Sequence, residues 1–537
     1  MNNTSLLPLD YLVFAFYFVI VAGYGYYIYQ KKRKASTDTK DFFLAEGSLT
    51  WWAIGASLIA SNISAEQFIG MSGSGFKMGL AISTYEWMAA ATLLVVAIFF
   101  LPIYLKNKIY TMPQFLLQRY DGRVSTAMAV FWLLLYVFVN LTSILYLGAL
   151  AIQTISGIPF WTCVMALSVF AIFITLGGMK VIGYTDVIQV FFLILGGLAT
   201  TYLALNLVSD HFGGGGMWDG LGLLRQKAPE HFHMIFEPSS EHYKELPGLA
   251  VLIGGMWIVN LNYWGCNQYI TQRALGADLK TARNGLLFAG FLKLLMPVIV
   301  VLPGIAAYVL YKNGMFQQEM MDAAGTVKPD HAYPVLLNLL PAGLKGLSFA
   351  ALTAAIVASL AGKANSIATI FTLDIYKHFF NKDASEQDQV KVGRYTIIVA
   401  IIIGALVAPA LKSLDQGFQF IQEYTGFISP GVFAIFIMGF FWKRTTANAA
   451  LTGAILAIPL SVALKFGMPE LPFINRMGWV FIIIVVIMGI ISLLDPKSKN
   501  NPKGLEVDAS MFRLNPAFTV GAIIICGVLA ALYTVFW

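Results

Sequence analysis

The segment Ala56–Gly75, ASLIASNISAEQFIGMSGSG, carries Ser57, Ser61, Asn62, Ser64, Glu66, Gln67, Ser72 and Ser74 inside an apolar run that opens at Trp51 and Trp52. A helix surrounded by lipid satisfies its own backbone and is greasy throughout. Polar and small residues at bilayer depth therefore predict a helix that is broken and lines a wet cavity. Broken helices near the midplane are the elements with which secondary transporters hold substrate and ion. The competing reading is a glycine-rich surface for close helix packing.

Composition sets the frame for that segment. Of 537 residues, 58% are hydrophobic and 12% charged, whereas about a quarter of the residues in a soluble domain are charged. The chain reads as an all-α polytopic membrane protein. The net charge of +7 does not point to nucleic acid, because the lysines and arginines lie in short loops between apolar runs and form no basic domain. Cys163, Cys266 and Cys526 all fall in apolar segments without metal-ligand spacing and read as packing residues. The first apolar run, about 11–29, is followed by Lys31, Lys32, Arg33 and Lys34 rather than a small-residue cleavage site. It reads as a retained helix.

Fourteen apolar segments are long enough to span, among them 51–75, 159–177, 248–267 and 418–442. Placing both termini outside puts most of the Lys and Arg on the cytoplasmic side, as the positive-inside rule requires. The organisation expected is an extra N-terminal helix and loop (1–49), a first repeat (50–207), an extracellular loop (208–247), a second repeat (248–446) and peripheral C-terminal helices (447–537). An odd number of spans per repeat makes the two halves opposite in topology. The opening of the second half, Gly254–Tyr269 (GGMWIVNLNYWGCNQY), again places glycines, asparagines and aromatics at membrane depth. Within the 208–247 loop, His231 and His233 have no accompanying ligand cluster, so a solvated loop without chemistry is expected.

Ionisable groups inside a membrane are functional candidates by default, and the short list is Glu66, Glu86, Lys293 and Lys363. Beside them stand Gln67, Tyr85, Asn140, Asn260, Tyr263, Trp264 and Gln422. That mixture suits a sugar, whose hydroxyls both donate and accept and whose C–H face packs on aromatic rings. A structural ion pair between Glu86 and Lys293 is the alternative. No nucleophile and base pair, metal cluster or phosphate loop is evident; GMSGSG at 70–75 is a weak phosphate signal inside an apolar helix. An enzyme is not expected.

Eight stretches in order, SNISAEQFIGMSGSG (61–75), TYEWM (84–88), FVNLTSILYLG (138–148), YTDVIQVFFLILGG (184–197), NYWGCNQYITQR (262–273), LPGIAAY (302–308), NSIATIFTLDIYK (365–377) and IQEYTGFISPG (421–431), resemble the sodium:solute symporter family. The resemblance implies fourteen helices in the LeuT fold with inverted five-helix repeats, alternating access, and co-transport of one Na⁺ with a monosaccharide. Its sugar contacts fall on Gln67, Glu86, Asn260, Lys293 and Gln422, with Asn140 nearby. It implies an outer gate of Met71, Tyr85 and Phe418, and an inner gate of Tyr263 beside Trp264. For Na⁺ it implies the carbonyls of Ala60, Ile63 and Ala355 with the hydroxyl of Ser359, which suits a hard cation. The partners implied are sugar, sodium and the lipid bilayer, in a bacterial inner membrane, with no organic cofactor.

Three departures follow the resemblance. A pair of hydroxyls in the family is reduced here to Ala358 and Ser359. Lys363 stands four residues further on, where one sugar-transporting member has an apolar residue. Its ammonium is expected to sit in an inner vestibule, to weaken sodium by repulsion, or to replace it. Ala89 and Asn262 stand where that member has a serine and an aromatic. Asp186 matches an aspartate near the family's ion exit path and reads equally as a helix N-cap. Alternatives to Na⁺-driven uptake are a proton-coupled or cation-independent carrier using Lys363, and a sugar sensor that does not transport. The identity of the sugar and the choice between monomer and homo-oligomer are left open by the residues.

Overall fold

The computed structural model describes residues 6–31, 43, 49–321, 325–413 and 417–537. Among them the structure is helical, with no strand beyond an isolated bridge between Met321 and Val327. Ten helices among the described residues are long and apolar enough to cross a membrane. The four expected segments absent from that group have a physical reason for it. Segment 51–75 is interrupted after Asn62, 248–267 is divided at Gly254 and again after Gly265, and 418–442 is divided between Thr425 and Ser429. The helix Phe160–Thr175 is intact but only 16 residues long.

Burial separates a core from a periphery. The spanning window of 344–380 is 89% buried and that of 66–106 is 72% buried, against 22% for Pro8–Ile28 and Pro516–Val535. The helix Leu344–Ile370 reads LKGLSFAALTAAIVASLAGKANSIATI, and its small side chains let neighbours approach on every face. It packs along Gly178–His211, while Leu279–Lys312 packs on both halves of the interrupted helix, Trp51–Asn62 and Ser72–Met78. Arg119, at the end of Met112–Arg119, donates to the carbonyls of Gly439 (2.8 Å), Trp442 (2.9 Å), Thr445 (3.1 Å) and Lys443 (3.3 Å). A cation there satisfies the orphan carbonyls of the helix Ser429–Phe441.

The 208–247 segment differs from the solvated loop expected. It holds the helix Met217–Lys227 and a 3₁₀ turn, Pro229–Phe232, with His231, Phe232 and Met234 buried. His231 Nε2 lies 3.0 Å from the Phe76 carbonyl, and its ring stacks on Tyr308 at 3.8 Å. Gly79 has φ +72° at this contact, and a side chain there would run into the His231 backbone. The segment is therefore packed onto the end of the interrupted helix, because its apolar residues find a cover there that composition alone does not reveal. Cys163 and Cys266 are buried as expected, whereas Cys526 is on the exposed face of the last helix.

Candidate functional site

The break after Asn62 creates the site. Ile63 leaves the helix in an extended conformation, and the amide of Ser64, which a continuous helix would bond to Ala60, donates instead to Gln67 Oε1 at 2.9 Å. The chain resumes as a π-helical turn, Glu66–Met71, before Ser72–Met78. Wide turns of this kind recur at functional sites because they free backbone groups and re-aim side chains.

A cavity opens beside the break. It is lined by Asn62, Glu66, Gln67, Met71, Tyr85, Glu86, Asn140, Asn260, Tyr263, Trp264, Lys293, Lys363, Phe418 and Gln422, together with Ala89, Asn262 and Tyr269. Lys293 Nζ bonds both Glu86 Oε2 and Asn62 Oδ1, and lies 5.1 Å over the Trp264 ring. Asn62 Nδ2 in turn donates to the Tyr263 hydroxyl at 2.9 Å. Four elements thus meet in one hydrogen-bonded chain. Each buried charge has an opposite charge or a ring against it, which is the condition for holding it out of water.

Other lining residues are partly committed elsewhere. Gln67 spends its carbonyl oxygen on Ser64, Asn260 Nδ2 donates to the Met256 carbonyl at 3.1 Å, and Glu66 accepts from Ser143 at 2.8 Å. Met71, Tyr85 and Phe418 are buried together, with the Tyr85 and Phe418 rings edge to face at 5.2 Å. Tyr263 packs against Trp264 at 5.2 Å and Tyr269 at 5.6 Å.

Ala60, Ile63, Ala355 and Ser359 lie outside the cavity lining, on the two helices that face each other behind it. Ser359 Oγ donates to the Ser61 carbonyl at 3.0 Å. Lys363, one turn on, is 3% exposed and faces the cavity, with its ammonium 5.1 Å over the Tyr269 ring; no described residue accepts a hydrogen bond from it. It is not a residue snorkelling into a wide vestibule.

The N-cap reading of Asp186 is corrected by the structure. Its helix begins at Gly178, so Asp186 sits in the third turn and is no N-cap. It is buried, accepts from Ser57 Oγ at 2.5 Å and lies 3.8 Å from Arg273, whose guanidinium also reaches Ser57 and the Tyr269 carbonyl. Asn62 and Ser57 are named among the polar residues of the opening segment but are given no role by the sequence, whereas Arg273 and Tyr269 are brought in from a distant segment.

A family model for sodium:solute symporters matches residues 42–457. This chain belongs to the sodium:solute symporter family. Among similar members, a sodium/glucose cotransporter of Vibrio parahaemolyticus is 48% identical over 536 residues, covering 98% of both chains. The sodium/myo-inositol cotransporter 2 of Sus scrofa is 34% identical over 489 residues, covering 85% of this symporter-family chain and 70% of the other. Of solved structures, a substrate-bound, outward-open Na⁺-coupled sialic acid symporter shares the fold, with a TM-score of 0.79 at 24% identity, covering 91% of this chain and 98% of that one. The more distant nucleobase-cation-symport-1 transporter Mhp1 reaches 0.52 at 15% identity. Among the described residues no group of His, Cys, Asp and Glu is arranged to hold a resident metal ion.

Proposed function

We propose that this symporter couples inward movement of Na⁺ to uptake of a monosaccharide of the galactose or glucose kind by alternating access, in a bacterial inner membrane. The observation that carries the proposal is the Asn62–Lys293–Glu86 cluster in a cavity with amides and aromatic rings, in a chain 48% identical to a sodium/glucose cotransporter. Gln67, Glu86, Asn140, Asn260, Lys293 and Gln422 would bind hydroxyls, Met71, Tyr85 and Phe418 would cover the sugar, and Tyr263 with Trp264 would close the other side. Such a chain would cross the bilayer fourteen times, ten of them in two inverted five-helix repeats within 50–207 and 248–446, with both termini periplasmic. No covalent step is involved. At about 100 mV one Na⁺ contributes ~2.3 kcal/mol, and a tenfold gradient adds ~1.4 kcal/mol, which supports several-hundred-fold accumulation.

Sodium is cargo here. The Ala60 carbonyl, relieved of Ser64, with those of Ile63 and Ala355 and the Ser359 hydroxyl, offers the oxygen ligands a hard cation takes. Ser359 must first release Ser61. A second reading, in which Lys363 takes the place of sodium, is favoured by that engaged hydroxyl and by the ammonium's want of an acceptor among the described residues. Radiolabelled galactose and glucose uptake into proteoliposomes tests both. Accumulation only with an inward sodium gradient supports the symporter, and accumulation equal in potassium or choline supports the Lys363 reading.

A further inference from the structure

Gly70 is the point where the outer cover of the cavity touches the interrupted helix. A Cβ built on it would lie 2.7 Å from Phe418 Cβ, 3.2 Å from Phe418 N and 3.4 Å from Phe418 Cα. Two of those three atoms are backbone. A change of rotamer at Phe418 therefore cannot make room, and one helix or the other must move.

The interrupted helix is held on its other faces. A Cβ at Gly75 would lie 2.8 Å from the Val301 carbonyl, one at Gly73 would lie 2.9 Å from the Asp330 amide, and the backbone of Ser72 lies against Gly304. The opposing helix Gly417–Thr425 is only nine residues long and is separated from Ser429–Phe441 by a turn. It is the jointed partner. Added volume at position 70 is thus relieved by displacing Gly417–Thr425 away from Met71 and Tyr85, which uncovers the cavity.

We infer that Gly70 is the positioning residue that permits the outer gate to shut, and that a methyl group there holds the transporter open on that side, with Gln422 drawn back and the rest of its sugar site intact. The inference rests on the alternating-access reading above. The clash exists only with the gate closed, so it acts as a differential between the two states and shifts their populations. Overpacking of this size moves such an equilibrium by on the order of 10- to 100-fold.

The test compares wild type, Gly70→Ala and Gly75→Ala as purified, sodium- and galactose-bound protein, and in proteoliposomes. For Gly70→Ala we expect faster hydrogen exchange in 417–425, galactose binding within about tenfold of wild type, and uptake lowered by on the order of 10- to 100-fold. Gly75→Ala places the same methyl group on a face turned to Val301 and is expected to loosen packing without selective exchange in 417–425. Wild-type exchange and uptake in Gly70→Ala would overturn the inference. So would loss of galactose binding, or an exchange pattern the same as that of Gly75→Ala, since either marks a packing defect alone. Failure of wild type itself to accumulate galactose or glucose would reject the functional proposal instead.

Discussion

At the scale of single residues, the proposed mechanism depends on charges that are held rather than solvated. Glu86 is 3% exposed and Lys293 1% exposed, and each is the other's counter-ion. Removing one charge leaves the other buried and alone, which is worse than never having had the pair. Glu86→Gln keeps the shape and a weaker hydrogen bond. We expect sugar affinity to fall about 10- to 100-fold, as loss of a charge-assisted bond implies, measured by equilibrium binding of labelled sugar. Unchanged affinity would make the pair structural. At the proposed sodium site Lys363 would act on the ion in the opposite sense. Its ammonium stands one helical turn from Ser359, so repulsion would weaken sodium, and Ala358 would withhold an oxygen. Lys363→Met and Ala358→Ser are each expected to tighten sodium binding by on the order of tenfold, read from the sodium concentration giving half-maximal uptake. If neither does, the low-affinity reading is wrong.

At the scale of elements, the 229–236 stretch packs as a lid over the end of the interrupted helix, and His231 is expected to make that packing sensitive to acid. Burial pushes its imidazole below the ordinary value of 6.5, with Lys312 and His242 acting in the same direction and Glu230 and the Phe76 carbonyl against it. In the open lid the imidazole regains its ordinary value. The closed lid's stability is therefore full above about pH 6.5 and declines as pH falls below it. Protection of the amides in 229–236, taken relative to their intrinsic exchange rates, should fall roughly three- to tenfold between pH 7.5 and 5.5, and His231→Gln should flatten that dependence. An exchange rate that follows only the intrinsic chemistry of the amides would show that this histidine does not titrate in the lid.

At the scale of the whole molecule, buried spans such as 344–380 and 66–106, flanked by mostly exposed ones such as Pro8–Ile28 and Pro516–Val535, suit movement of an inner bundle within a scaffold. Voltage and sodium gradient enter the accumulation ratio independently. Abolishing a tenfold sodium gradient at fixed voltage should lower the steady sugar ratio about tenfold for one Na⁺ per sugar, and about a hundredfold for two. No change would point to the cation-independent carrier.

Most of the architecture was legible in the chain. Hydropathy marked ten of the fourteen expected spans as long apolar helices, because a membrane leaves helices few alternatives, and polar residues in Ala56–Gly75 and glycines in Gly254–Tyr269 marked two that are interrupted. The cavity residues Glu86, Lys293, Gln67, Asn260 and Gln422 were legible for a similar reason, since polar groups at that depth are costly without a purpose. What only the tertiary structure decided is which of them meet. Local composition contains no term for a contact made across 231 positions, so Asn62 as the link from Lys293 to Tyr263 was invisible. The burial of Asp186 on Ser57 and Arg273, the packing of His231 under Phe76, and the fit of Gly70 against Phe418 were equally hidden. Burial and close approach are properties of neighbouring helices, and a sequence states the helices one at a time.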